Sequence, residues 1–236
     1  HDLMEFHGLF LRKKSQSLKP RKLSKDFTKN ISLLDLDERP QQVEFAEKVE
    51  QLLKEQKTAF IQAQTGLGKT YGYLLPALSM ESEGGILVSV PTKILQNQIM
   101  QEEGRRLKDT FHIDIHSLKG PQNYLKLDNF YKVLHRPESN RLFTRFKMQI
   151  LIWLTETETG DLDEIGQLYR YQHFIPELVH DGKLSKTSLF SSEDFWQRSQ
   201  DRAKSSRLLL TNHAYLVTRL EDDPEFVNNR LVIIDE

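Results

Sequence analysis

The sequence predicts an α/β fold: a parallel sheet with helices on both faces, carrying a P-loop and interrupted by a mostly helical insertion. Three observations predict it. Residues 63–70 read Ala63-Gln64-Thr65-Gly66-Leu67-Gly68-Lys69-Thr70, a glycine-rich turn between an apolar run and a helix-like stretch. Short aliphatic runs at Gly85–Val90, Leu208–Thr211 and Leu231–Ile234 alternate with helical periodicity, the pattern of buried parallel strands joined by crossover helices. Between Lys119 and about Lys204 that alternation stops and aromatic, helix-like segments replace it.

Taken in order, residues 12–29 hold eight Lys/Arg against Asp26 alone, with Pro20 among them, and read as part of an extended basic linker over residues 1–34. A solvated run is the ordinary reading of such a stretch, and phosphate-backbone contact is the alternative. From Pro40 to Gln56, Val43, Ala46, Val49, Leu52 and Leu53 fall at helical spacing behind a proline suited to the first helical position. Ala59-Phe60-Ile61 is the expected strand leading into the P-loop, and a helix follows it. After the strand at 85–90, Pro91-Thr92 opens a helix running to about Leu107. Residues 111–116 alternate, with Phe111, Ile113 and Ile115 on one face and His112, Asp114 and His116 on the other. The polar face of an edge strand accounts for those three side chains; a metal site is the alternative, with no fourth ligand nearby. The expected organisation is therefore a sheet domain over 35–118, an insertion over 119–204, and completion of the sheet by 205–236.

The P-loop carries the chemistry. Gly66 and Gly68 let successive backbone N–H groups turn toward one phosphate chain, and the following helix adds its positive end. Lys69 would reach the β- and γ-phosphates, and Thr70 would place its hydroxyl on Mg²⁺. Ala63 stands where the strict motif has glycine. Leu231-Val232-Ile233-Ile234 ends in Asp235-Glu236, placing two carboxylates at the carboxyl end of a buried strand, where open α/β sheets bind ligands. Asp235 would hold the Mg²⁺ through water, and Glu236 would orient and deprotonate the attacking water.

Composition narrows the classes. The chain has 236 residues, 38% hydrophobic and 28% charged, with a net charge of −1 that does not announce a polyanion partner. It holds no run of the ~18 apolar residues that span a bilayer, and no secretory signal opens it. The absence of cysteine excludes disulfides and thiolate-ligated zinc or iron–sulfur centres within these residues, and fits a cytoplasmic setting. Twelve of the twenty-two aromatic residues lie between 119 and 204, interleaved with Lys and Arg. Such surfaces stack bases of single-stranded nucleic acid, but a small helical subdomain also needs aromatics for its own core. The ends, at His1 and at Glu236, the second residue of the acid pair, read as cuts from a longer chain.

Several ordered motifs together resemble the first RecA-like domain of DinG-type helicases, relatives of XPD in helicase superfamily 2. Arg39-Pro40-Gln41-Gln42 is similar to the adenine-reading Q motif, and 63–70 to motif I. Pro91-Thr92-Lys93-Ile94-Leu95-Gln96-Asn97-Gln98 is similar to motif Ia, which touches the nucleic-acid strand. Lys119-Gly120-Pro121-Gln122-Asn123-Tyr124-Leu125 resembles a family signature, Thr211-Asn212-His213 a segment before motif II, and Asp235-Glu236 the start of motif II. The resemblance implies an ATP-hydrolysing, DNA-helicase-like protein using ATP and Mg²⁺. Arg39 and Gln42 would hold adenine, and Thr92, Lys93 and Gln96 would touch single-stranded DNA. A second RecA-like domain elsewhere in the parent would supply an arginine finger. Lys126 and Asp194 stand where cluster-bearing relatives place cysteines, so the resemblance is to the branch without an iron–sulfur cluster, in which a 3′–5′ exonuclease domain precedes the helicase part. Two other functions stay open at this point: an ATP-regulated single-stranded-DNA-binding module serving that nuclease, and a small-molecule P-loop kinase.

Overall fold

The computed structural model describes residues 21–80, 84–183 and 190–236. In chain order the helices and strands are α1 (Phe27–Leu33), α2 (Pro40–Lys54), α3 (Lys69–Ser79), β1 (Ile86–Val90), α4 (Lys93–Ile99), α5 (Arg105–Phe111), β2 (Ile115–Ser117), α6 (Leu127–His135), α7 (Arg141–Leu154), α8 (Phe195–Ser205), β3 (Leu208–Asn212), α9 (His213–Asp222) and β4 (Leu231–Ile234). A π-helical turn at Met100–Gly104 joins α4 to α5, and short 3-10 turns occur at Leu162–Glu164, Leu168–Tyr171, Ile175–Glu177 and Ser191–Glu193. The described residues group into two compact units, one within His1–Ser82 and Gln98–Asp114, the other within Glu83–Asn97 and Ile115–Glu236.

The first unit is helical. Residues 1–20 of the expected basic linker lie outside the described residues, while 27–33 form a helix instead of extended chain. Asp26 explains it: its carboxylate accepts from the N–H groups of Thr28 and Lys29, satisfying the first turn, while Phe27 and Ile31 bury one face. Helix α2 packs on α3, and the contact is close because Gly72 of α3 lies against the Phe45 ring, where a Cβ would overlap it. The expected strand at 59–61 does not form. Phe60 is fully exposed and Ile61 is 41% exposed, and the four-stranded sheet does not include them. An extended segment becomes a strand only when another strand takes its backbone groups, and an apolar triplet does not supply that partner.

The second unit holds a parallel sheet in the order β2-β3-β1-β4. Every residue of β1 and β3 is buried, as their uninterrupted aliphatic runs require. On one face Leu87 and Leu209 pack with Leu118, Ala203 of α8 and Leu216 of α9. Strand β4 lies at an edge, with Val232 and Ile234 exposed at 38% and 58%. Strand β2 is shorter than the alternation at 111–116 suggests. Phe111 ends α5, His112 closes that helix in the left-handed region at φ 55°, and His116 is buried against Ser199 at 2.9 Å rather than solvated. His112, Asp114 and His116 form no metal-binding cluster, and no such cluster occurs among the described residues.

The aromatic stretch has a core of its own. Tyr124, Phe130, Phe143, Phe146, Trp153, Tyr171 and Phe195 are buried together. Phe143 stacks on Phe174, and Phe146 stacks on Tyr171, each at 4.2 Å between ring centroids. Most of these aromatics therefore pack inward, leaving Tyr131 and Tyr169 as the large exposed rings. Gly160, at φ 68°, lies under the Phe195 ring, so both its backbone and its missing side chain are required.

Candidate functional site

The first unit gathers the Q-motif and P-loop residues. Gly66 and Gly68 both occupy the left-handed region, at φ 80° and 86°, which is how the turn reverses without a side chain in the way. Gly68 caps the N-terminus of α3, so the positive end of that helix starts at Lys69. Arg39 Nη1 donates to the Gly66 carbonyl at 3.2 Å, and Gln42 Nε2 donates to the Gly68 carbonyl at 2.8 Å. Gln42 is 95% buried by its own 5% exposure, and it lies so close over Gly68 that a Cβ there would overlap its amide. Gln64, Thr65 and Gly66 are exposed, while Ala63, Leu67, Gly68, Lys69 and Thr70 are half-buried. A Cβ built on Gly66 would meet nothing within 4 Å, so the turn opens to free space. A left-handed glycine turn, a helix N-terminus, a lysine and a threonine make a donor set that fits a nucleoside triphosphate with Mg²⁺. In α3, burial pushes the Tyr71 hydroxyl up to about 12, with the Glu103 charge adding to it, and burial likewise raises the Glu103 carboxyl.

The second unit holds the motif Ia and acid-pair residues. Thr92 is exposed, and its hydroxyl accepts the Leu95 N–H at 3.2 Å, capping α4. Lys93 is exposed and donates to Asn123 Oδ1 at 2.8 Å. Gln96 does not meet the expectation of a nucleic-acid contact. It is 0% exposed; its amide nitrogen donates to Ser117 Oγ, the Leu118 carbonyl and the Leu210 carbonyl, and its oxygen accepts from Asn212 at 3.1 Å. A helix shows only part of its circumference to solvent, and Gln96 falls on the inner side, where it ties α4 to the ends of β2 and β3. Asp235 and Glu236 follow β4 directly, and the Asp235 N–H donates to the Ser89 carbonyl of β1 at 2.9 Å.

Residues 39–164 match the family model described as DEAD/DEAH box helicase. The chain belongs to that family. A protein of Bacillus subtilis named 3'-5' exonuclease DinG is 35% identical over 167 residues, covering 68% of this chain and 18% of that protein. Its namesake in Staphylococcus saprophyticus is 30% identical over 211 residues, covering 86% of this chain and 23% of that one. In Staphylococcus aureus the figures are 28% over 224 residues, 90% and 24%. The chain thus spans under a quarter of the length of these relatives. It is a DinG-type, ATP-binding domain of the DEAD/DEAH box helicase family.

The motif residues Lys119 and Asn97 meet carboxylates that belong to no motif. Lys119 is 99% withdrawn from solvent and binds Asp161 and Asp163, the second at 2.9 Å. Asp163 also accepts from Asn97 of α4 at 3.3 Å, so the aromatic stretch is bonded to the motif Ia helix. Burial raises the Asp161 carboxyl, against the opposing charge and hydrogen bond of Lys119; for Asp163 burial is outweighed by Lys119, and the carboxyl is lowered. Lys126 pairs with Asp181 at 2.6 Å, and Asp194 accepts from the buried His180 at 3.0 Å. Nothing in the local sequence marks Asp161, Asp163 or His180, because each meets its partner across a long stretch of chain. No helix among the described residues is long and apolar enough to cross a membrane.

Proposed function

We propose that this chain is the ATP-binding half of a DinG-family helicase or translocase that hydrolyses ATP on single-stranded DNA. The observation that carries the reading is the convergence of Arg39 and Gln42 on the carbonyls of Gly66 and Gly68. Residues at the expected adenine end thereby touch the backbone that holds the phosphates, so base and phosphate recognition share one element. In this reading the free side of Arg39 and the remaining capacity of Gln42 meet adenine. The 63–70 backbone and Lys69 hold the phosphates, and Thr70 and Asp235 hold Mg²⁺. The bound metal supplies neutralisation of phosphate charge. Glu236 accepts the proton of the attacking water. Exposed Thr92 and Lys93 offer a hydroxyl and a cation to the DNA backbone, while Gln96 positions their helix from inside.

The same proposal treats 35–118 with 205–236 as one RecA-like domain and 119–204 as an insertion without an iron–sulfur cluster, joined in the parent to a second RecA-like domain and working in the cytoplasm. The pairs Lys126–Asp181 and His180–Asp194 close the insertion by ordinary polar contacts. The protein as purified is expected to be iron-free, and its folding to be insensitive to chelators and oxidants.

The exonuclease name of the relatives favours one second reading, in which ATP regulates a single-stranded-DNA grip that serves an attached nuclease. Stimulation of ATP turnover by single-stranded DNA in the full-length parent separates the two, because only a motor requires it. Within that assay Lys69→Ala is expected to lose nucleotide binding, since a charge-assisted contact contributes about 1.5–3 kcal/mol. Glu236→Gln is expected to keep binding and lose turnover. Unchanged turnover in both variants would remove the site assignment.

A further inference from the structure

The basic run of the sequence continues into the described residues, and there it is folded onto the first unit. The Arg21 N–H donates to the Thr110 carbonyl at 3.1 Å, and Arg21 Nη1 donates to the Leu33 carbonyl at 3.1 Å. Buried Asn30 closes a two-way clasp on Ser24, accepting its N–H at 2.8 Å and donating to its carbonyl at 2.7 Å. Asp26 then caps α1. A backbone held at its start, its middle and its helix cap is ordered, not an extended tether.

Lys22, Lys25 and Lys29 stand on this segment, and all three are exposed. Lys54, Lys57 and Arg105 of the same unit each have a carboxylate partner, whereas these three lysines have none among the described residues. The carboxylate nearest in sequence, Asp26, is occupied by the N–H groups of Thr28 and Lys29 and by the Thr28 hydroxyl. The next acids along the chain, Asp35, Asp37 and Glu38, follow the other end of α1. This distribution runs against helix electrostatics, in which acids suit the N-terminal end and cations the C-terminal end. The first turn of α1 has no acid and its last turn no base. Helix stability therefore does not call for these lysines. Unpaired cations on an ordered backbone do meet the needs of a row of phosphates.

We propose that Lys22, Lys25 and Lys29 form a phosphate-binding patch for the backbone of single-stranded DNA, additional to Thr92 and Lys93. The inference rests on the reading above that the parent holds single-stranded DNA, but not on its being a motor. Ordering the segment before DNA arrives removes part of the entropic cost of binding. Lysine contacts to phosphate carry no base information, so the patch adds affinity and salt dependence without sequence preference.

The test uses the full-length parent and labelled oligo-dT, with affinity read by fluorescence anisotropy over a series of salt concentrations. Lys22→Gln/Lys25→Gln/Lys29→Gln is expected to reduce the slope of log K against log salt by about 2, because each phosphate contact on a single strand contributes about 0.7. Affinity for oligo-dA should fall by the same factor, and ATP affinity should stay within about two-fold of wild type. Lys22→Arg/Lys25→Arg/Lys29→Arg should keep the wild-type slope. Lys48→Gln/Lys54→Gln/Lys57→Gln removes the same charge from exposed positions on and just after α2, and should leave the slope unchanged. An unchanged slope in the first variant, or an equal reduction in the α2 variant, would overturn the patch. An unchanged slope joined to a shifted Tm of the parent would also overturn it, and would assign the lysines to an acidic protein surface. If the triple variant fails to fold, the single variants decide: a loss of about 0.7 in each supports the patch, and no loss in any overturns it. DNA-stimulated ATP turnover separates the two levels of inference. Binding without stimulation, with a reduced slope in the lysine variant, removes the motor and supports the patch. Stimulated turnover with an unaltered slope removes the patch alone, and a wild-type parent that does not bind DNA removes both.

Discussion

Replacing Lys119 with methionine tests whether its buried ion cluster fastens the aromatic stretch to the sheet. Methionine keeps the length of the side chain and removes only the charge and its donors. In the native protein Lys119 is 1% exposed, Asp161 is 16% exposed and Asp163 is 32% exposed. The main penalty therefore falls on Asp161, which is left buried and ionised beside a second carboxylate. Removing one partner of a buried pair costs about 3–5 kcal/mol. Because Asp163 stays a third exposed and regains water, the lower end, about 3 kcal/mol, is expected. For a domain of this size that corresponds to a fall in Tm of about 6–12 °C. The pH dependence carries a definite sign. Burial already raises the Asp161 carboxyl, and Lys119 is what opposes the rise. Without the lysine the folded value climbs further above the unfolded one, so ionisation of Asp161 is what destabilises the variant. As pH falls through that raised value Asp161 takes up a proton, and the gap to wild type narrows. Urea unfolding followed by tryptophan fluorescence at about pH 7 and about pH 5 measures it, Trp153 being buried in the affected core. The double variant Lys119→Met/Asp161→Asn should regain most of the loss. A gap under about 1 kcal/mol, or one that widens as pH falls, would refute the reasoning.

Three further outcomes follow from the same structure. Gly160→Ala puts a methyl group into the Phe195 ring at a left-handed φ and is expected to cost about 2–4 kcal/mol, read as earlier unfolding of the aromatic core by hydrogen exchange. Gln96→Ala takes a donor from the buried Leu118 carbonyl and an acceptor from the Asn212 amide nitrogen and should lower stability by about 2–3 kcal/mol, whereas Lys93→Ala should leave stability within about 0.5 kcal/mol and flatten the salt dependence of single-stranded-DNA binding by the parent. Asp181 is held at about 2 by the Lys126 hydrogen bond, and Asp194, despite burial, is held below its ordinary value by His180 and the Gln197 N–H. Both contribute stability that is present above the ordinary carboxylate pKa and lost as pH falls through the lowered values. An acid titration of stability should therefore decline below about pH 4, and a flat profile down to about pH 2 would contradict it.

The sequence by itself determined what nearest neighbours encode. The turn at 63–70 was legible because Gly66 and Gly68 are needed for left-handed φ values, and β1 and β3 because their aliphatic runs suit strands buried on both faces. Strand β4 forms where its run predicts a strand, but at the sheet edge with Val232 and Ile234 exposed, so the burial expected of it is not met. The helix from Pro40 was legible from one apolar stripe behind a proline, and the family from motifs in order. Tertiary structure decided the rest, since it depends on partners far along the chain. Ala59-Phe60-Ile61 has the composition of a strand, but pairing is a property of two segments, and its residues stay outside the sheet. Gln96 carries the amide of a nucleic-acid contact, yet its place on the inner side of α4 turns it toward Leu118, Leu210 and Asn212. The aromatic residues of 119–204 suit a base-stacking surface as well as a core, and only their mutual packing assigns most of them to the core. Lys119 finds Asp161 across 42 positions, and Ser89 finds His213 across 124. At such separations no local pattern names the partner, because the fold alone brings the two groups within hydrogen-bonding distance.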